Sequence, residues 1–397
     1  MKTRMYNWPL CADSFTVWDK IKLSKFLFTN RIWTQGDTVR SYEEKWEKML
    51  DCYAIMVSSG SSANELIALR RKWELQQVEE WPRRNKVVFA VNSWISNCST
   101  FINLSFEPIF CDVNKLNLNV TSNELKKILD KDVDHNIGTV FYTTLLGFMG
   151  DLDRCKEITE KHGAKFLMDN CESTFSKYTN NLRESDWLLK YTTCSTSTFY
   201  SHLTTTCEGG LIFCNNKHES DWYRMARNHG MTRGMDAKYR NLNVNKDFDF
   251  YIMGSNYRST NINAYLGLLD LDRAIKFCNE RLKIFFEFYN NLDCDKFNIF
   301  THLQGQRDID CIPLAIPIIC KSRDQKIKVE TWLEVKGIKT RPIIGGCLLA
   351  HTAFKQYGKA EDYSVALNAH NCGFYIGINK NVTIKMAKNL AKDLNKL

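Results

Sequence analysis

Between Tyr53 and Asp169 short apolar runs alternate with stretches of helical character, and no other feature of the chain constrains its fold as much. The apolar runs are Tyr53 to Val57, Lys86 to Val91, Pro108 to Cys111, Thr139 to Thr143 and Phe166 to Asp169, each of strand length. Between or beside them lie Ser41 to Leu50, Glu65 to Glu74, Leu125 to Leu129 and Asp151 to His162, which carry good helix formers and mixed charge. Strand–helix alternation of this kind predicts an α/β fold whose mostly parallel sheet is covered by helices. In such sheets ligands collect at the carboxyl ends of the strands.

The pattern changes after about Asn263. A long helical stretch runs from Ala264 to Asn290, followed by a β-like segment (Ile312 to Ile319), an amphipathic helix (Gln325 to Lys336) and a closing helix from Lys385. A chain of 397 residues suits one large and one smaller domain. The expected division is an N-terminal segment plus large domain over 1–263 and a smaller α+β domain over 264–397.

Several function classes are disfavoured. No apolar run approaches the roughly 20 residues that span a bilayer, and MKTRMYNWPLCADSF lacks the apolar stretch and cleavage site of a signal peptide. The expectation is a cytoplasmic protein with no membrane partner. Its fifteen cysteines form no CxxC and no zinc-type spacing, so they read as reduced, mostly buried thiols with no metal site. The net charge of +9 is spread along the chain without a basic arm, which argues against nucleic acid and suits an anionic small molecule such as a nucleotide diphosphate.

Three segments carry candidate chemistry. In SSGSSAN (Ser58 to Asn64), Gly60 permits a tight turn between strand and helix, and the free amides there, with the Ser61 and Ser62 hydroxyls, can cradle a phosphate; an ordinary Ser/Gly loop with an N-cap reads the same way. Asp169 ends an apolar strand with Glu172 three residues on, where a carboxylate can hold a ring nitrogen protonated or simply cap a helix. Thr196 to Asn216 (TSTFYSHLTTTCEGGLIFCNN) is more specific: a hydroxyl-rich strand, then His202, then Glu208-Gly209-Gly210 and a second apolar strand.

Taken in this order, the segments resemble those of the DegT-type (DegT/StrS) sugar aminotransferases, whose phosphate loop reads SGTxA and whose cofactor lysine lies six residues before the glutamate of EGG. The likeness extends to TQGDTVRSYEEKWEKML, to VNSWISNCST, with Trp94 where a ring stacks on the cofactor, and to GSNYRSTNINAYLGLLDLDR. The resemblance implies a fold-type-I, aspartate aminotransferase-like architecture and a homodimer in which Asn256 reaches the phosphate held by the partner chain. It implies a pyridoxal or pyridoxamine phosphate cofactor held by Gly60, Ser61, Ser62, Trp94, Asp169, Glu172, Ser197 and Asn256. It places Ser201, His229, Arg258 and Arg341 near the substrate, the two arginines as partners for pyrophosphate or carboxylate.

One position departs from the aminotransferases. Six residues before Glu208 stands His202, and no lysine occurs between Tyr191 and Asn216. Imidazole cannot link covalently to the cofactor, so binding is expected to be non-covalent. Histidine at this point, together with GIKTRPIIGG (Gly337 to Gly346) and Asn64, is similar to the 3-dehydratase branch that makes 3,6-dideoxysugars. The iron–sulfur members of that branch carry cysteines downstream of the histidine; ARNHGMTRGMDAKYRNLNVNKDF has none, so no Fe–S cluster is expected. The nearest likeness is to the cluster-free GDP-4-keto-6-deoxymannose 3-dehydratases, which implies C3 deoxygenation of a nucleotide-linked 4-keto-6-deoxyhexose, His202 as base and glutamate as amino donor. An unmodified imidazole, with a pKa near 6.5, is mostly neutral at pH 7 and suits that task. Two alternatives stay open at this point: a sugar-nucleotide aminotransferase with an atypical base, and a catalytically silent regulatory or binding protein on the same fold.

Overall fold

The computed structural model describes residues 5–181, 184–241, 243–245, 247–297 and 311–397. The chain opens with helices α1 (Val17–Thr29) and α2 (Asp37–Leu50), then strand β1 (Tyr53–Val57) and helix α3 (Gly60–Gln77). There follow β2 (Lys86–Ala90), α4 (Ile95–Asn103), β3 (Glu107–Cys111), α5 (Ser122–Leu129), β4 (Ile137–Thr143), α6 (Leu152–Lys161) and β5 (Lys165–Asp169). A two-stranded excursion, β6 (Lys177–Asn181) and β7 (Glu184–Trp187), leads to β8 (Cys194–Ser197), β9 (Gly210–Cys214) and α7 (Lys217–Ala226). The long helix α8 (Asn261–Tyr289) carries the chain to β10 (Ala315–Ile319), α9 (Arg323–Val335), β11 (Thr340–Arg341), α10 (Ser364–Cys372), β12 (Gly373–Gly377) and α11 (Ile384–Leu394).

Seven strands form one sheet in the order β1-β9-β8-β5-β4-β2-β3. Every pairing is parallel except those of β9, which runs antiparallel to both β1 and β8. Every residue of β4 and of β9 is buried, as expected for strands covered on both faces by helices. This is why the strands read as near-continuous apolar runs rather than as alternating ones. On α2 the buried Val39, Tyr42, Glu43, Trp46 and Leu50 recur at three- and four-residue intervals and make one stripe toward the sheet. Burial works against the charge of Glu43, but Arg227 and Arg224 outweigh it and hold its pKa down to about 2. That network, closed by the Met56 N–H donating to Glu43 Oε1 at 2.9 Å, ties α2 to β1 and α7.

The strands β10, β12 and β11 make a separate antiparallel sheet. The N-terminal residues cross to it: Trp8 is fully buried, bridges to Ile338 and donates its indole N–H to the Gly377 carbonyl at 2.7 Å. Tyr6 donates its hydroxyl to Asp393 at 2.8 Å, and Asn379 donates to the Pro9 carbonyl at 2.7 Å. Beyond that anchor the chain turns inward, so Leu10, Cys11, Ala12 and Ser14 form part of a cavity wall. Among the described residues no helix is long and apolar enough to cross a membrane.

Candidate active site

A cavity of about 580 Å³ opens at the carboxyl ends of the parallel strands. Asp169, the last residue of β5, sits at its floor and is 3 % exposed. Its register partners are Thr143 at the end of β4 and Ser195 in β8, so the parallel sheet delivers three polar side chains to one place. The Cys171 N–H donates to Asp169 Oδ1 at 2.8 Å and the Asn64 amide donates to Oδ2 at 2.8 Å. Both donors are neutral, and among the described residues no lysine or arginine pairs with this carboxylate. Burial raises the Asp169 pKa, with the Cys171 and Asn64 hydrogen bonds acting against it. A carboxylate so placed is short of a cation.

One wall is the start of α3. Ser59 caps the helix, its hydroxyl accepting from the Ser62 N–H at 3.0 Å, which leaves the amides of the first turn facing the cavity with Gly60 and Ser61 in its lining. A Cβ at Gly60 would lie 2.9 Å from Ser197 Cβ and 3.1 Å from Cys171 Sγ, so only glycine lets the helix start come this close to β8. Gly210 does the same for β9, where a Cβ would meet the Ser59 carbonyl at 2.4 Å. The last glycine of the EGG pattern is thus a packing requirement of the α3 start, while a Cβ at Gly209 would meet the Thr206 and Thr198 hydroxyls at 2.3 and 2.6 Å. Trp94, at the N-cap of α4, lines the cavity and is 47 % exposed, leaving much of its indole surface uncovered.

The loop bearing Ser201 and His202 runs from Thr198 to Gly209 and is tightly tied. Thr198 N–H donates to the Gly209 carbonyl and Thr206 N–H to the Thr198 carbonyl, both at 2.9 Å. Thr204 Oγ1 and Thr205 N–H donate to Asp270 Oδ2 of α8 at 3.0 and 2.9 Å. The threonine run is therefore what clamps the loop to α8 and presents His202 to the cavity. His202 Nδ1 is buried with no hydrogen-bond partner, and burial pushes the imidazole pKa down to about 4. The value near 6.5 expected for an exposed ring does not hold here. Glu172 also lines the cavity; Oε2 accepts the Leu146 N–H at 2.7 Å, and burial raises its pKa to about 7. Ser197 adds a hydroxyl that accepts the Phe199 N–H at 3.2 Å, and Arg341 stands at the exposed rim.

The cavity thus brings together Gly60, Ser61, Trp94, Asp169, Glu172, Ser197, Ser201, His202 and Arg341. Four expected residues are not in its lining. Ser62 turns inward, its hydroxyl bonded to those of Ser58 and Ser59 at 2.7 and 2.9 Å. Asn256 is exposed, beside the α3 start, where the Ser58 N–H donates to the Tyr257 carbonyl at 2.9 Å. Arg258 is held by Asn228 Oδ1, and His229 adopts a positive φ of 61° with its N–H on the Ser255 carbonyl. The sequence reading did not find Asn97 and Thr143, which line the cavity, nor Ser195 behind them, nor the N-terminal wall; none of these carries a local signal.

The donor set suits a cationic aromatic ring with an anionic tail: helix-start amides for a phosphate, a buried carboxylate lacking a cation, an open indole face and an imidazole whose Nδ1 has no partner. The profile of the DegT/DnrJ/EryC1/StrS aminotransferase family matches residues 19–395, and the chain belongs to that family. It is 27 % identical over 386 residues to a GDP-4-keto-6-deoxy-D-mannose 3-dehydratase of Escherichia coli O55:H7, covering 93 % of each chain. It is 24 % identical to a protein of the same name from Yersinia pseudotuberculosis, covering 100 % of both. A crystal structure of GDP-4-keto-6-deoxymannose-3-dehydratase with a trapped PLP–glutamate geminal diamine superimposes with a TM-score of 0.84 at 22 % identity, covering 98 % of this chain and 100 % of that one. The fold is accordingly that of the fold-type-I PLP-dependent enzymes.

Proposed function

We propose that this chain is a pyridoxamine-phosphate-dependent 3-dehydratase of a nucleotide-linked 4-keto-6-deoxyhexose, GDP-4-keto-6-deoxymannose being the substrate the relatives favour, with glutamate as amino donor. The observation that carries this reading is His202. The position that holds the cofactor lysine in the aminotransferases carries an imidazole presented to the cavity by a clamped loop. The relatives of similar length named as 3-dehydratases support the same reading.

When bound, pyridoxamine phosphate supplies an amine that condenses with a ketone and a protonated ring that draws off electrons. Asp169 would keep the ring nitrogen protonated, and a cation there would in turn relieve the cost of burying its carboxylate. The α3 start with Ser61, and the Ser197 hydroxyl, would hold the phosphate, and Trp94 would cover the ring face. His202 is neutral at any pH well above about 4 and so is ready to take up a proton. The imidazolium it becomes is a stronger acid than an exposed one, which favours handing that proton to a departing hydroxyl. Arg341 at the rim suits a pyrophosphate or carboxylate. Such an enzyme of nucleotide sugars and glutamate is placed in the cytoplasm.

Incubation with GDP-4-keto-6-deoxymannose and glutamate, followed by mass analysis, tests the reading. A 3-deoxy ketosugar with release of ammonia is expected; an amino sugar would favour the aminotransferase alternative. Borohydride reduction in the presence of pyridoxal phosphate should leave no pyridoxyl group on the protein, and a stable adduct on Lys380, the lysine in the described cavity lining, would overturn the non-covalent site.

The working form is read as a homodimer. Asn256 is exposed and outside the lining of its own cavity, and the neighbouring Phe248, Phe250, Tyr251 and Met253 are exposed, Met253 at 94 %. Apolar groups clustered on a surface beside a misdirected polar residue are what a partner subunit would cover. Mixing inactive His202→Ala and Asn256→Ala chains should restore part of the activity, because one site of the mixed dimer is then intact. Full activity in a monomer would refute the arrangement.

A further inference from the structure

We propose that Asn64 is a positioning residue for Asp169: with Ser195 it forms a relay that holds the carboxylate ionised and aimed into the cavity. The inference rests on the reading above that a protonated ring nitrogen meets Asp169. Asn64 lies in the first turns of α3, is 1 % exposed, and is far in sequence from every residue it touches. Ser195 Oγ donates to Asn64 Oδ1 at 2.5 Å. On the other side of the amide, Nδ2 donates to Asp169 Oδ2 at 2.8 Å and reaches Asn97 Oδ1 at 3.4 Å. Asn97 Nδ2 in turn donates to Thr143 Oγ1 at 2.7 Å, and Thr143 and Asn97 both line the cavity.

The direction of this chain is fixed by chemistry. A carboxamide has one end that accepts and one that donates. Because the ionised Asp169 carboxylate only accepts, the amino end must face it and Oδ1 is left to accept the Ser195 hydroxyl; a flipped amide would set oxygen against oxygen at Asp169. An ionised carboxylate only accepts, so Asn64 and the Cys171 N–H favour its charged form against the burial that opposes it. Leaving a buried donor or acceptor unmatched costs about 1–3 kcal/mol. Five buried polar side chains, Ser195, Asn64, Asp169, Asn97 and Thr143, joined by these bonds therefore form a device of matched parts rather than a chance inclusion in the sheet.

The test uses Asn64→Leu, which keeps the bulk and removes the amide, Ser195→Ala, and the pair combined. Bound pyridoxamine phosphate is titrated by its ultraviolet absorption, and its affinity is measured by fluorescence quenching. Asn64→Leu should lower the apparent pKa of the ring nitrogen and weaken binding about tenfold or more at neutral pH, the size expected for a hydrogen bond to a charged group. Ser195→Ala should shift both in the same direction but less. The double variant should match Asn64→Leu alone, because Ser195 acts only through the amide. An unchanged ring titration in Asn64→Leu, or additive shifts in the pair, overturns the relay. If Asn64→Leu does not fold, Ser195→Ala alone decides, and an unshifted titration refutes the proposal. Asp169→Asn in the same titration separates the two levels: if it shifts the ring while Asn64→Leu does not, the relay alone fails; if neither shifts, the placement of the ring at Asp169 fails as well.

Discussion

Asp169→Asn is expected to lower dehydration by about 10²–10⁴-fold, since removing one partner of a buried charge pair costs about 3–5 kcal/mol and each 1.4 kcal/mol is tenfold in rate. The side chain keeps its shape, so steric change does not account for the loss. An amide cannot balance a protonated ring, and its amino end would face a donor from Cys171 or Asn64, both of which now point at carboxylate oxygens. Steady-state turnover on the ketosugar with saturating glutamate and cofactor measures the effect. Normal turnover would show that Asp169 is not the ring partner.

His202→Lys is expected to cost about 10²–10⁴ in dehydration, the range for loss of a general base. An ammonium, with an ordinary pKa near 10.4, is protonated at neutral pH where the imidazole is not. The variant also restores an amine at the family's spacing, so borohydride should now fix a pyridoxyl group on residue 202, a second readout that turnover does not supply. The native enzyme carries a pH signature of the same residue. Burial lowers the imidazole pKa to about 4, so the neutral base persists as the pH falls and is lost only toward that value. The acid limb of kcat should therefore show no inflection near 6.5 assignable to His202, and wild-type-like dehydration by the lysine variant would assign the proton to another group.

The large sheet was legible because strands covered on both faces are apolar throughout; the runs at Tyr53, Lys86, Thr139 and Phe166 begin within two residues of β1, β2, β4 and β5. The reversed direction of β9 was not, since an apolar run does not state its polarity. Motif order gave Gly60, Asp169 and His202, and the geometry adds why the intervening residues are what they are: the threonines clamp to Asp270, and Gly210 clears the Ser59 carbonyl. The His202 pKa could not be read from the chain, because it depends on how deeply the loop is packed. Likewise Asn64, the residue after the alanine that matches SGTxA, was visible as a likeness to the 3-dehydratase branch, but its partners Ser195 and Asn97 were not. Hydrogen bonds between residues 33 and 131 positions apart leave no periodic trace.

The N-terminal anchor bears on the order in which the protein is made. A ribosome releases Trp8 long before the carbonyl of Gly377, the edge at Ile338 or the carboxylate of Asp393 exists to receive it. Until β12 has emerged, Leu10, Cys11, Ala12 and Ser14 have no seat, and the cavity that holds Asp169 and His202 lacks one wall. A chain halted before β12 would carry every chemically active residue and still present an open site. The seating of the N-terminal segment is thus a late step in assembling the pocket.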